Sequence, residues 1–255
     1  MKLKHKINIC LYNGILDALN FNSSVAKVII GNKFIWRDIV FDFDRTFDSN
    51  FPKNKEFKFI QIGGNDGVSF DTLYSKVTTR NSTGLILEPS PRYFEKLKSN
   101  YKHFKPIQLL PYAVFEKAGT LELFELNDIG LKNHPAWAAG IGSVDINHLK
   151  NLNVKSDEIA RVEVEGITFD DLLEAHPEFL SVDYLQLDTE GYDFQILKTI
   201  DFQKFSAKMI KFEFKNLSSD QQNGAISIFK DNYFLFKDEL DLVCLRKNLK
   251  IKCRI

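Results

Sequence analysis

The stretch Lys58-Phe59-Ile60-Gln61-Ile62-Gly63-Gly64-Asn65-Asp66-Gly67 runs an apolar strand directly into three glycines within five residues. Glycine has no Cβ and enters positive φ at little cost, so such a loop turns sharply and brings backbone N–H groups close to a ligand. About 20 residues further on, where a second parallel strand would place an acid beside the ribose hydroxyls of a nucleotide, the run Gly84-Leu85-Ile86-Leu87 ends in Glu88. A dinucleotide fingerprint G-x-G-x-x-G counted from Gly63 would need glycine at Asn65 and Val68, and it is not met. The competing reading, a strand and glycine turn that bind nothing, is weakened by Glu88.

Outward from this loop the chain alternates apolar, strand-like runs with amphipathic segments, the pattern of a parallel α/β sheet. The strands expected are Phe57–Ile62, Thr83–Glu88, Ile107–Tyr112, Tyr184–Asp188 and Met209–Phe214. Helices are expected over Ser69–Val77, Pro91–Asn100, with Pro91 in the first turn, and Tyr192–Thr199. Tyr233–Lys237 and Asp241–Arg246 are close enough to form a hairpin that closes one sheet edge with an antiparallel strand. Residues 1–55, with amphipathic pieces at Ile15–Leu19 and Phe34–Phe43, read as an N-terminal cap that forms one compact unit with a domain over 56–255. Glu125–Arg161 breaks the alternation and carries His134, Pro135, Trp137, Gly140, Gly142 and His148, as either a substrate-covering insertion or an ordinary loop.

At 255 residues, 44% hydrophobic and 27% charged, the chain can bury one α/β core. Lys+Arg and Asp+Glu balance at 34 each, so no general attraction to nucleic acid or anionic membrane is expected. Met1–Tyr12 is basic and then apolar, but too short and mixed for a signal peptide or membrane span, so a cytoplasmic location is expected. Cys10, Cys244 and Cys253 have no metal-binding or redox spacing and are expected as unpaired thiols.

Counted from Gln61, the loop Gln61-x-Gly63-x-Asn65-x-Gly67 resembles the first motif of S-adenosylmethionine (SAM) methyltransferases. Together with Glu88-Pro89-Ser90-Pro91, Phe94, Ala113, the run Asp188-Thr189-Glu190-Gly191 and Glu213, all in the expected order, it resembles the FkbM family of SAM-dependent methyltransferases over about residues 57–216. Gln61 departs from the family pattern, which has Asp there; an amide accepts a hydrogen bond but supplies no charge. The resemblance implies a Rossmann-like α/β fold with a seven-stranded mixed sheet and helices on both faces. It also implies a cofactor site at Gln61, Gly63, Gly64, Asn65, Gly67, Glu88, Pro89, Ser90, Tyr112, Ala113 and Asp188, with Gly67 leaving room for the ligand. The implied activity is O-methylation of a sugar hydroxyl in a small-molecule substrate, such as a nucleotide-activated sugar or heptose of a surface polysaccharide. A small phosphorylated or amino acceptor, and a non-catalytic SAM-fold scaffold, are the alternatives. A nucleic-acid substrate is not expected, because no basic stripe and no motif for a flipped base is present.

The catalytic candidates are Asp188, His134 and His148. Asp188 and Glu190 leave the carboxyl end of a strand, where doubly wound sheets bind ligands. They are placed to orient a hydroxyl, act as base or, with Glu213, bind a divalent metal. Glu190 as a simple helix cap is the other reading. Either histidine has a suitable pKa for taking an alcohol proton, although each is also an ordinary loop residue in the making.

Overall fold

The structure, a computed structural model, describes residues 24–30, 33–69 and 71–254. The side chains of 24–40 and of Arg254 are not described. Cys10 and the amphipathic piece Ile15–Leu19 lie outside the described residues. In chain order the strands are β1 (Ser24–Ile30), β2 (Lys33–Phe41), β3 (Glu56–Ile62), β4 (Asn81–Leu87), β5 (Ile107–Leu110), β6 (Tyr112–Val114), β7 (Gly119–Leu126), β8 (Gly142–Ser143), β9 (Ile159–Ile167), β10 (Ser181–Leu187), β11 (Ser206–Glu213), β12 (Tyr233–Asp238), β13 (Asp241–Arg246) and β14 (Cys253–Arg254). Seven of them hydrogen-bond in the order β12-β13-β11-β10-β3-β4-β5. The sheet is mixed: β10, β3, β4 and β5 pair in parallel, whereas β13 is antiparallel to both β11 and β12. The fold is therefore the expected α/β one, hairpin included.

The chain divides into two compact units, Met1–Pro52 with Lys208–Ile255, and Lys53–Ala207. In the first, β1, β2 and β14 form a small antiparallel sheet. The helix Phe43–Asn50 follows it, capped by Asp42, whose Oδ1 accepts the Arg45 N–H at 3.0 Å. Phe47 of that helix is fully buried, and the Phe41 and Phe236 rings stack at 4.2 Å. Lys211 is held between Asp238 and Asp241 at 3.2 and 3.0 Å.

In the second unit the core strands carry near-continuous apolar runs, as parallel strands covered on both faces require. Phe59, Ile60, Leu85, Ile86, Leu87, Tyr184 and Leu185 are all fully buried. Several boundaries shift by a few residues, and two of the differences have a clear local cause. The third strand stops at Leu110 because Pro111 has no N–H for the ladder, and Tyr112 instead opens β6, in a separate four-stranded sheet ordered β6-β9-β7-β8. The helix expected from Ser69 begins at Leu73, because aspartates hold the preceding turn in other shapes: Asp66 Oδ1 accepts the Val68 and Ser69 N–H groups, and Asp71 Oδ1 accepts that of Leu73.

The long β7–β9 antiparallel pair was not anticipated, yet its period-2 signal is present in Leu121-Glu122-Leu123 and Val162-Glu163-Val164. The register places Leu121 opposite Val164 and Leu123 opposite Val162. Among the described residues no helix is long and apolar enough to cross a membrane.

Candidate active site

A cleft of about 250 Å³ opens at the carboxyl ends of β3, β4 and β10, wholly within the unit Lys53–Ala207. Of the residues expected at a cofactor site, Gln61, Gly63, Gly64, Asn65, Glu88, Pro89, Ser90, Tyr112, Ala113 and Asp188 border it. Gly67 does not. It sits at φ +73°, and a Cβ there would come within 2.5 Å of Leu97 Cδ1 and of the Tyr101 ring. Packing against the helix Pro91–Tyr101, not room for a ligand, is what requires glycine at 67. Gly63, at φ +83°, lies against the Asp188 carbonyl, and Gly64 against Ile86, so a side chain at either would collide with the neighbouring strand. Close approach of neighbouring chain is thus the demand on all three glycines, from the ends of β4 and β10 at Gly63 and Gly64 and from the helix at Gly67.

The loop is tied down by hydrogen bonds that its composition allows. The Gly63 and Gly64 N–H groups both reach Leu87 O, at 3.0 and 2.9 Å, and the Asp188 N–H reaches Ile62 O at 2.9 Å. Asn65, at φ +47°, gives its backbone N–H to Glu88 Oε2 at 2.7 Å and its Nδ2 to Gly140 O at 3.0 Å. Asparagine tolerates the left-handed region, and its amide latches the Glu125–Arg161 segment onto the loop.

Glu88 is 7% exposed and also accepts the Ser90 N–H at 2.7 Å. Burial pushes its pKa from 4.5 to about 7 against the pull of those two N–H groups, and the nearby Glu125 carboxylate adds to the rise. Glu125 is itself buried and accepts the Ser90 hydroxyl at 2.6 Å. This second carboxylate was not legible from the chain alone, since only the course of β7 brings it to Ser90.

Glu190 stands at φ +52° and Gly191 at φ +95°, so the chain doubles back after Asp188. Asp193 is fully buried and accepts both the N–H and the hydroxyl of Thr189, at 2.8 and 2.5 Å, and the N-cap of the helix it opens is Tyr192, not Glu190. The Glu190 side chain borders the cleft and meets His148 Nε2 at 3.2 Å, while its carbonyl accepts the Ser143 hydroxyl at 2.9 Å. The irregular segment is therefore a wall of the cleft, and it adds Trp137, Gly140, Gly142 and Val144 to the lining. The Trp137 side chain is 54% exposed there. Across the cleft Tyr192 stacks on Phe115 with ring centroids 4.8 Å apart.

Of the expected catalytic and metal-binding residues, His148 does not itself border the cleft and meets it through Glu190, and the remaining two are placed elsewhere. His134 does not border the cleft: its Nε2 pairs with Glu158 Oε2 at 2.9 Å. Hydrogen bonds from Asn133, His134 and the Lys155 N–H hold the Glu158 pKa down at about 2. Glu213 lies in the unit of Lys208–Ile255, takes a hydrogen bond from Asn216 and does not border the cleft. Among the described residues no group of three or more His, Cys, Asp or Glu is assembled in a way that could hold a metal ion.

The sequence pattern of the methyltransferase FkbM domain matches residues 61–246, and the chain belongs to that family. Among solved structures, a methyltransferase FkbM from Methylobacillus flagellatus KT is similar at 13% identity and a TM-score of 0.45, over 74% of this chain and 43% of that one. The chain thus spans less than half the length of that protein. A fibrillarin from Aeropyrum pernix, in complex with natively bound S-adenosyl-L-methionine, is similar at 10% identity and a TM-score of 0.40, over 76% of this chain and 69% of that one. No curated protein sequence matches the chain significantly.

The site suits SAM on its own chemistry. The described residues bordering the cleft include the carboxylates Asp71, Glu88, Asp188 and Glu190 and no Lys or Arg, a balance that favours a cationic ligand. Glu88 would hold the ribose hydroxyls, Ala113 with Tyr112 would border the adenine, and Asn65 with the Gly63–Gly64 backbone would support the sugar and methionyl portions.

Proposed function

We propose that this chain is a SAM-dependent O-methyltransferase whose acceptor is a sugar hydroxyl, as in a nucleotide-linked sugar or heptose destined for a surface polysaccharide. The observation that carries the acceptor class is Trp137, a half-exposed indole bordering the same cleft as Asp188 and Glu190. An aromatic face beside carboxylates matches a sugar, which offers a C–H face to the ring and hydroxyl donors to the acids. The lack of Lys and Arg among the described lining residues favours a neutral acceptor group over a phosphorylated one inside the cleft. Any phosphate of an activated sugar is then left outside.

When bound, the cofactor supplies an electrophilic methyl group on a sulfonium. The chain's task is to hold the acceptor oxygen in line and to receive its proton. Asp188, at the end of β10, accepts a hydrogen bond from the acceptor hydroxyl and so aims its oxygen. Glu190 borders the same space and takes the proton, with His148 fixing the orientation of its carboxylate through the 3.2 Å contact. His148 acts through Glu190 in this scheme, and His134 has no part in it.

A methyl-transfer assay of the purified protein tests the reading, with nucleotide-activated sugars and heptoses set against small phosphorylated compounds, amines and RNA. Transfer to a sugar is expected, and Trp137→Ala should raise the sugar KM about two- to tenfold, the range of one aromatic contact at ~0.5–1.5 kcal/mol. Affinity for S-adenosylhomocysteine (SAH) should stay unchanged in that variant. Transfer to an amine or phosphorylated acceptor instead, or an unaltered sugar KM in Trp137→Ala, would overturn the acceptor assignment.

A further inference from the structure

One buried acceptor beside the glycine loop has nothing to accept. Gln61 is 1% exposed, and its Nε2 donates to Asp71 Oδ2 at 3.0 Å. Only the NH₂ of an amide can face a carboxylate in this way, which fixes the orientation of the group and turns Oε1 elsewhere. That oxygen is buried with no hydrogen-bond partner among the described residues. Asp71 receives the Leu73 N–H at 2.7 Å, and the Gln186 side chain on the same wall favours its charged form. The Gln186 amide is oriented in turn by the Tyr184 hydroxyl, which donates to its Oε1 at 3.0 Å. Gln61, Asp71 and Gln186 border the cleft beside Gly63, yet no Lys or Arg among the described lining residues is there to balance the charge. Burial raises the Asp71 pKa against the pull of its neutral donors, and the Asp66 charge adds to the rise.

We infer that the Asp71 carboxylate, oriented by Gln61 and the Leu73 N–H, and the orphaned Gln61 Oε1 together receive a primary ammonium, the α-amino group of the cofactor's methionyl tail. Position 61 is neutral, so the negative charge for that ammonium is supplied ten residues later in the chain and delivered to the same wall by the turn before Leu73. The inference rests on the SAM reading above and adds a residue that the glycine motif does not contain. Asp71 is acceptor-only when ionised, and an ammonium supplies three donors, enough for the carboxylate and the orphaned amide oxygen at once.

Calorimetric binding of SAH and of its deamino analogue, in which hydrogen replaces the α-amino group, separates the possibilities. Wild-type protein should bind the deamino analogue about tenfold or more weakly than SAH, the scale of a charge-assisted hydrogen bond. Asp71→Asn should lose affinity for SAH by a similar factor while binding the deamino analogue as wild type does, so that the two ligands become nearly equal. Equal affinity of wild type for both ligands would overturn the inference without any variant, and so decides the matter even if Asp71→Asn fails to fold. Equal loss of both ligands in Asp71→Asn would also overturn it, since that is the mark of a purely structural aspartate. Binding of neither ligand to wild type would instead sink the cofactor reading, and this inference with it.

Discussion

Cofactor affinity should depend on pH through Glu88, and the size of the effect follows from its surroundings. The carboxyl group is 7% exposed, accepts two backbone N–H groups and titrates at about 7, with burial as the main cause and Glu125 as the second. In the proposed cofactor site the ribose hydroxyls would donate to the ionised form, so only that form should bind well. A group with that pKa is about one-tenth ionised at pH 6 and nine-tenths at pH 8, so SAH affinity should fall about tenfold from pH 8 to pH 6.

The stability of the free protein should respond to pH with the opposite sign. Folding raises the Glu88 pKa from 4.5 to about 7, so the native state keeps a proton that the unfolded chain releases between those values. The Glu88 contribution to stability therefore falls as pH rises through that window, by up to ~3 kcal/mol. Glu88→Gln removes both effects. Its amide has one acceptor oxygen, so one of the Asn65 and Ser90 N–H groups must face a donor, and the charge-assisted bonds to ribose are lost. SAH binding at pH 8 should weaken about 10- to 100-fold, for ~1.5–3 kcal/mol, and its pH dependence should flatten. Titration calorimetry at pH 6, 7 and 8 on both proteins measures this. A wild-type affinity that is flat across the range, or a Glu88→Gln protein that keeps the wild-type slope, would refute the assignment; the second result would point to Asp71, whose pKa is also raised, as the titrating group.

Gly67→Val should act on stability before binding: a β-branched residue at φ +73°, pressed on Leu97 and Tyr101, should cost ~2–4 kcal/mol in urea unfolding, and a variant of wild-type stability that fails to bind SAH would show that the ligand needs that space after all. Asp188→Asn should bind SAH within about tenfold of wild type, as expected when a retained amide oxygen still accepts, yet lose most turnover; full turnover would remove Asp188 from the proposed mechanism, and the same assay with chelator and then Mg²⁺ asks whether Asp188 and Glu190 work through a cation. The two histidines should separate cleanly, with His148→Ala lowering kcat while His134→Ala lowers Tm by releasing Glu158 and leaves kcat intact. Equal kcat values for the two variants would contradict the arrangement around Glu190.

The parallel core and half of the cleft were already written in the chain. Apolar runs such as Phe59–Ile62 and Leu85–Leu87 have to be covered on both faces, and a glycine turn at the end of one with an acid at the end of the next has few other arrangements. Glu88, Asp188, Pro89, Ser90 and Ala113 were legible for that reason, because each stands at or just beyond the end of a run whose direction the pattern fixes. What each glycine is for was not legible: the sequence cannot say that Gly67 faces Leu97 and Tyr101, because that depends on where the helix Pro91–Tyr101 lies.

Tertiary structure also separated His148 from His134. Both stand in one irregular segment with similar flanks, but the fold of Glu125–Arg161 sends one to Glu190 and the other to Glu158. It alone placed Trp137 at the cleft, and it brought the Asp71 charge beside a neutral Gln61. A local pattern records which face of a strand or helix a residue occupies. The meeting of residues from separate turns is fixed by how those turns pack, and no periodicity in the chain carries that information.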